Sequence, residues 1–406
     1  MNDLALAADA LLAQDAPFIL RRPLRALEEL RGGGLEITLP DGRARIVCGE
    51  RDGPMARLIM RSWRFVPKLW RGDVGFAQGY VDGDWTTDDL PRLLTLLASN
   101  QRLLERFSAS PLSRAAQMAR HWLRRNSRAG ARRNIAAHYD LGNAFYARWL
   151  DPSMTYSAAL EVDEDLEAAQ RRKYAALAKA AGVRPGDHVL EIGCGWGGFA
   201  HYAARELGCR LTAVTISREQ AEFARARIAC AGLESAVEIA LKDYRDVAGR
   251  YDAIVSIEMF EAVGEAYWPR FFELLRERLK PGARGALQVI TIDEAAFPRY
   301  RREIDFIRAH IFPGGMLPTA AHMRALGPAA GLALVGERAF GADYAATCRA
   351  WRARFEEGFP AIAPLGFDER FRRLWRYYLC YCEAGFSAGV TDVRHFVFAA
   401  PAQAGA

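Results

Sequence analysis

The sequence predicts an α/β protein built on a doubly wound, mostly parallel sheet, with a smaller α+β unit ahead of it. Three observations carry this reading. From about residue 134 onward, short apolar strand patterns alternate with amphipathic helical patterns, which implies a parallel sheet covered by helices on both faces. The first of those strands runs into a helix through a glycine-rich turn. The length, 406 residues, exceeds one average domain, and the first 100 residues are patterned differently.

Residues 1–100 mix the strand patterns LEITLP and ARIVCG with the turn signals Asp41-Gly42 and Asp52-Gly53. GYVDGDW at Gly79–Trp85 then precedes a helical run, DDLPRLLTLLASNQRLLERF. Residues 101–133 stand apart as a basic linker. They hold nine arginines against one acid, Glu105, whereas the whole chain has a net charge of only +6. A local excess of this kind attracts polyanions such as nucleic acid or anionic lipid headgroups. Met118, Trp122 and Leu123 among the arginines fit an interfacial helix. A solvated linker with no partner is the plainer alternative.

Residues 134–406 carry the alternation. HVLEI (188–192) is a short apolar strand, followed by Gly193-Cys194-Gly195-Trp196-Gly197-Gly198 and the helix FAHYAAREL. LTAVTI and REQAEFARARIA are the next strand and helix, and VEIA leads to Asp243. YDAIVSIEMF is a strand, WPRFFELLRERL a helix ending at Lys280-Pro281-Gly282, and GALQVITI a further strand. Two aromatic-rich helical stretches follow Tyr344. They carry Trp351, Phe355, Phe359, Phe371, Trp375, Tyr377, Tyr378 and Tyr381.

No run approaches ~18 apolar residues, so no spanning helix is expected. Asp3, Asp9 and Asp15 interrupt the N-terminal segment, which lacks a basic leader and does not read as a secretory signal. Seven scattered cysteines without a CxxC pair favour reduced thiols in a cytoplasm. The seven histidines are equally dispersed, and no metal cluster is expected.

The glycine turn lets the backbone approach a ligand closely at a helix N-terminus. The run is GxGxGG, not the GxGxxG of dinucleotide folds. Glu191 lies two residues before the first glycine, where a carboxylate would repel a pyrophosphate but hold an ammonium group. The ligand implied is a nucleoside carrying an amino acid, S-adenosylmethionine.

VLEIGCGWGG, VTIS, DYRD and MFEAVG together resemble the cyclopropane fatty acid synthase family of S-adenosylmethionine enzymes. The likeness extends to HYDLGNAFYARWLDPSMTYS and GYVDGDW upstream, and to IFPGGMLP and FGADY downstream. The resemblance implies a class I, Rossmann-like methyltransferase fold with a helical lid insertion. It also implies an N-terminal domain for lipid binding or homodimer formation. By position, Tyr156 and Ser157 would touch the cofactor. Gly193, Gly195, Trp196 and Gly197 would line its methionine portion, and Glu191 would hold its amino group. Thr215, Ile216 and Gln220 match the ribose segment, where many methyltransferases have an acid and this sequence has none. Asp243 and Tyr244 would flank adenine; a turn or cap role is the alternative for Asp243.

Methyl transfer to an olefin creates a carbocation. The site must therefore exclude water, offer π faces or carboxylate, and provide a base. The aromatic helices after Tyr344 suit a dry acyl tunnel, although an aromatic stripe at helical spacing is also plain core. In the family a bicarbonate ion is the base that closes the ring. Its ligand positions fall here on Glu261, Tyr344, the backbone of Ile290, Ala158 in place of a cysteine, and Gln288 in place of a histidine. Ala262 follows Glu261 where relatives have histidine. Alanine supplies no side-chain donor and glutamine supplies an amide, so bicarbonate binding is in question. Glu258 is an added carboxylate, read equally as a cofactor ligand, an alternative base or a helix cap.

These departures favour C-methylation of membrane phospholipid acyl chains without ring closure. A true cyclopropane synthase is the first alternative, a small-amine methyltransferase the second, and a non-catalytic binding protein the third. The expected partner is an anionic membrane surface rather than nucleic acid. The expected location is cytoplasmic, peripheral to the inner face. Ile304–Gly315 is a second apolar candidate for membrane contact, with a buried helix as its alternative.

Overall fold

The computed structural model describes residues 29–402, except 49–52, 54, 101–108, 112, 116, 117, 119–129, 131–140 and 164. Most of the arginine-rich stretch, including Trp122 and Leu123, therefore lies outside the described residues. The chain divides into two units. One comprises Met1–Trp122, Pro298–Ile311 and Phe359–Val390; the other comprises Leu123–Phe297, Phe312–Gly358 and Thr391–Ala406. The first unit thus takes in two segments that the sequence reading places in the methyltransferase domain.

The first unit has a four-stranded sheet in the order β2-β1-β3-β4, formed by β1 (Gly34–Thr38), β2 (Ala44–Cys48), β3 (Met55–Met60) and β4 (Trp85–Thr86). The Asp41-Gly42 signal becomes the β1–β2 turn, closed by Leu39 N–H donating to the Arg43 carbonyl at 2.8 Å. Against it lie the helices Leu90–Ala98 and Glu369–Ser387. Leu93, Trp85 and Tyr377 are fully buried there. Arg373 donates to the Tyr80 carbonyl at 2.7 Å and lies 4.1 Å from the Tyr80 ring. Tyr377 packs on Tyr80 and Phe306, and Trp375 on Phe371 and Tyr378. These aromatic residues are the core of the first unit, which is the plain reading of the stripe.

Ile304–Gly315 offers no exposed apolar face. Ile304, Phe306 and Ile311 are buried, and the helix is only Phe306–His310. Asp73 ties this segment down, accepting from Phe306 N–H at 2.7 Å and from the Tyr381 hydroxyl at 3.1 Å. Among the described residues, no helix is long and apolar enough to cross a membrane.

The second unit carries a seven-stranded sheet. Its strands are β5 (His188–Ile192), β6 (Arg210–Thr215), β7 (Val237–Leu241), β8 (Tyr251–Ile257), β9 (Leu279–Ile292), β10 (Ala333–Ala339) and β11 (Thr391–Ala399), in the order β10-β11-β9-β8-β5-β6-β7. The first five run parallel, and β11 returns antiparallel between β9 and β10. The strands read as apolar runs because helices cover both faces. Val189, Leu211, Ala213 and Val255 pack against the helices Leu166–Ala181, Gly198–Leu207 and Arg218–Cys230. On the other face Phe272, from the helix Trp268–Arg278, meets Phe398. Strand order reverses between β5 and β8, the place where open α/β sheets bind ligands at their carboxyl ends. The glycine turn and Glu258 both leave the sheet there.

Candidate active site

The turn after β5 requires its glycines. Gly193 has φ +85°, and a Cβ there would lie 2.7 Å from the Met259 side chain. Gly195 has φ +52° with open space where a Cβ would be, so the backbone stays accessible to a ligand. Trp196 is buried beside Tyr146, and its indole N–H donates to Asn143 at 2.7 Å. Arg227 donates to the carbonyls of Ser153, Trp196 and Pro152, joining this turn to the 151–157 loop.

Glu191 is 2% exposed, and its Oε2 has no hydrogen-bond partner. Burial pushes its carboxyl up to about 8, opposed by the charge of Lys173. Lys173, in the helix Leu166–Ala181, is fully buried, and that burial lowers its pKa to about 7 against the pull of Glu258, Asp151 and Glu191. Its ammonium donates to the Ser157 hydroxyl at 2.6 Å, while Gln170 holds the Ser157 carbonyl at 2.9 Å. Sequence reasoning missed Lys173 and Gln170. The only signal for them was their spacing, three residues apart on the helix face that turns inward.

Tyr156 sits among Tyr146, Trp149, Phe312 and Trp351, with ring centroids 5.3–6.3 Å away. Trp351 in turn meets Tyr344 at 6.0 Å. Thr215 and Gln220 are buried and bonded to each other at 3.0 Å, whereas Ile216 is half-buried. Asp243 is buried, caps the turn Tyr244–Asp246, and pairs with Arg245 at 2.7 Å. Tyr244 packs on Phe271.

Three of the five positions matched to the bicarbonate ligands, Ala158, Gln288 and Tyr344, converge on a group belonging to the chain itself, and the other two, Glu261 and Ile290, bond to each other. Glu258 follows β8 in a left-handed conformation, φ +49°. Its Oε1 accepts from Ala158 N–H at 2.8 Å and from the Gln288 amide at 2.8 Å. Its Oε2 accepts from the Tyr344 hydroxyl at 2.6 Å. Gln288 is aimed by His395, which donates to its Oε1 at 2.9 Å; burial depresses the imidazole to about 3, so the ring is neutral. Next to this cluster, Glu261 Oε1 accepts from Ile290 N–H at 2.5 Å, and its Oε2 is buried without a partner. Burial, then the charge of Glu258, raises Glu261 to about 8. Glu258 is raised too, by burial, but its three donors and Lys173 pull it back. Of the adjacent pair, Glu258 is the one whose two oxygens are both engaged by donors.

A model of the mycolic acid cyclopropane synthetase family matches residues 126–396. The chain belongs to this family. It is 41% identical over 374 residues to the tuberculostearic acid methyltransferase UfaA1 of Mycobacterium tuberculosis, covering 87% of this chain and 83% of that one. It is 35% identical over 341 residues to the cyclopropane-fatty-acyl-phospholipid synthase of Escherichia coli K12, covering 81% and 84%. Among solved structures, the mycolic acid cyclopropane synthase CmaA1 complexed with SAH and CTAB superposes with a TM-score of 0.62 at 28% identity, covering 66% of this chain and 98% of that one. The family member described here is thus a methyltransferase-class enzyme with the Rossmann-like α/β fold, and its cofactor is S-adenosylmethionine. The residues fit that cofactor. The partnerless Glu191 oxygen and the open backbone at Gly195 suit an ammonium-bearing methionine portion.

Proposed function

We propose that this enzyme methylates the double bond of an unsaturated acyl chain on a membrane phospholipid at the cytoplasmic face, and ends by proton loss to Glu258 without closing a ring. The observation that carries the reading is the convergence of Ala158 N–H, the Gln288 amide and the Tyr344 hydroxyl on the Glu258 carboxylate. Donors that would otherwise hold a free bicarbonate are already engaged, so that ion does not fit, and no step is assigned to it.

When bound, S-adenosylmethionine would supply an electrophilic methyl group, its sulfonium becoming a neutral thioether. Glu191 would hold its ammonium, Gly193, Gly195, Trp196 and Gly197 its methionine portion, and Tyr156 and Ser157 the reacting end. Thr215, Ile216, Gln220, Asp243 and Tyr244 would border the nucleoside. The alkene π electrons form the new carbon–carbon bond and leave a cation on the neighbouring carbon. Tyr156, Trp351 and Tyr344 offer π faces to that charge. Burial of Ala158, Gln288 and Tyr344 keeps water from quenching it. Glu258, ionised and fixed by three donors, takes the proton, and the C–H electrons become the product alkene. The naming of UfaA1 as a methyltransferase supports this outcome. The likeness to a cyclopropane-fatty-acyl-phospholipid synthase supports the second reading, in which the same base closes a ring.

The test is turnover on vesicles of monounsaturated phospholipid in degassed buffer, with and without added bicarbonate. Mass spectrometry and proton NMR of the released acyl esters identify the product. The expected product is one CH2 unit heavier, shows olefinic protons and no upfield cyclopropane signals, and forms equally without bicarbonate. Cyclopropane signals would establish ring closure, and unmodified lipid would overturn the acyl reading.

A further inference from the structure

We propose that the ridge formed by Trp63, Pro67 and Trp70 in the first unit is the surface by which the enzyme docks on an anionic phospholipid bilayer. This rests on the acyl-phospholipid reading, since that substrate lies in a membrane.

The helix Phe65–Lys68 continues directly into the helical turn Leu69–Arg71. Pro67 and Trp70 lie on this run three residues apart, a spacing that shares a face, and Trp63 precedes the run by two residues. All three are exposed; Trp63 is 39% and Trp70 57% accessible. The opposite side is anchored, with Phe65 and Val66 buried. The ridge is held rigidly as well. The Trp70 carbonyl accepts from Ser110 N–H at 2.9 Å, and a Cβ on Gly72 would come within 2.9 Å of Ala109.

Tryptophan is enriched at the headgroup level of membranes, where its ring is buried and its N–H stays wet. The charge around the ridge selects the lipid. Residues 61–72 contain no acid, and Arg61 and Arg64 are exposed. Lys68 is neutralised by Asp82 at 2.6 Å and Asp84 at 2.5 Å, so the uncompensated charge lies at the arginines beside Trp63. Two indoles flanked by guanidinium groups match an interface of acyl chains beneath anionic phosphates.

The experiment uses the full chain and a Trp63→Ser/Trp70→Ser variant, with unchanged circular dichroism as the folding control. Each is sedimented with phosphatidylglycerol-containing vesicles and with pure phosphatidylcholine vesicles. The wild type should prefer the anionic vesicles, and the variant should partition at least ten-fold more weakly. Turnover on vesicle lipid should fall in parallel, while turnover on the same lipid in detergent micelles is unchanged. Arg61→Glu/Arg64→Glu should lose the preference for anionic vesicles. Unchanged vesicle partition of the tryptophan variant overturns the proposal. So does a change from dimer to monomer with unchanged partition, which would make the ridge an interface between copies. Tryptophan-dependent vesicle binding by an enzyme that turns over no lipid would support the docking surface and overturn the acyl reading.

Discussion

The Tyr344 hydroxyl donates to Oε2 of Glu258 at 2.6 Å across 86 residues of sequence, tying the helix Gly341–Ile362 to the end of β8. Together with Ala158 and Gln288, it gives a half-buried carboxylate three donors.

Glu258→Gln is expected to reduce turnover by about 10²–10⁴-fold, the usual range for loss of a general base. Cofactor affinity should stay within a few-fold of normal by calorimetry, and bicarbonate should not restore the rate. Glu261→Gln should also lower turnover while preserving cofactor affinity. Equal loss of both properties in either variant would indicate a structural role.

Cofactor binding should tighten as pH rises. Glu191 must be ionised to pair with an ammonium, and burial holds it protonated up to about 8 in the free protein. Affinity should therefore climb between pH 6 and about 8 and level off above, with proton release near neutrality. Glu191→Gln should bind at least ten-fold more weakly with a flat profile. Calorimetry in buffers of different ionisation enthalpy reads both effects.

Lys173 supplies positive charge to both Glu191 and Glu258. Lys173→Met should raise the pKa of both carboxyl groups and move the acid limb of kcat/KM to higher pH. A lower rate at every pH with an unmoved limb would show that Lys173 only fills space.

Asp73 should set a pH-dependent cost on the first unit. Burial and the neighbouring Asp305 raise its pKa from 3.8 to about 6. The folded chain thus binds this proton more tightly than the unfolded chain does. The resulting destabilisation is absent below pH 3.8, grows as pH rises, and is complete above about 6. Asp73→Asn should stabilise the protein at pH 7.5 by up to about 3 kcal/mol and lose that advantage as pH falls towards 4. Thermal melts at the two pH values check it.

The sheet was legible because strand and helix periods differ and each strand is short and apolar. HVLEI and VEIA reappear almost residue for residue as β5 and β7. The positions of Ala158, Gln288, Ile290, Glu261 and Tyr344 were legible through resemblance. Glu258 was visible but could not be ranked, because its partner at Ala158 lies 100 residues upstream and its aim depends on a left-handed φ. Lys173 was invisible for another reason: a lysine among the charges of QRRKYAALAK reads as solvated, and only tertiary packing buries it. The aromatic stripe after Tyr344 divides. Trp351 reaches Tyr156, whereas Tyr377 and Trp375 are core.

The backbone at Glu258 has a consequence for how such enzymes diversify. A side chain at φ +49° costs about 1 kcal/mol that glycine would not incur. Most active-site changes have to be tolerated by the scaffold. Here the exchange that deletes the carboxylate also relaxes the chain and frees three hydrogen-bond donors for a diffusible anion. Those donors would need a replacement acceptor, because leaving three of them unsatisfied costs more than the backbone relief returns.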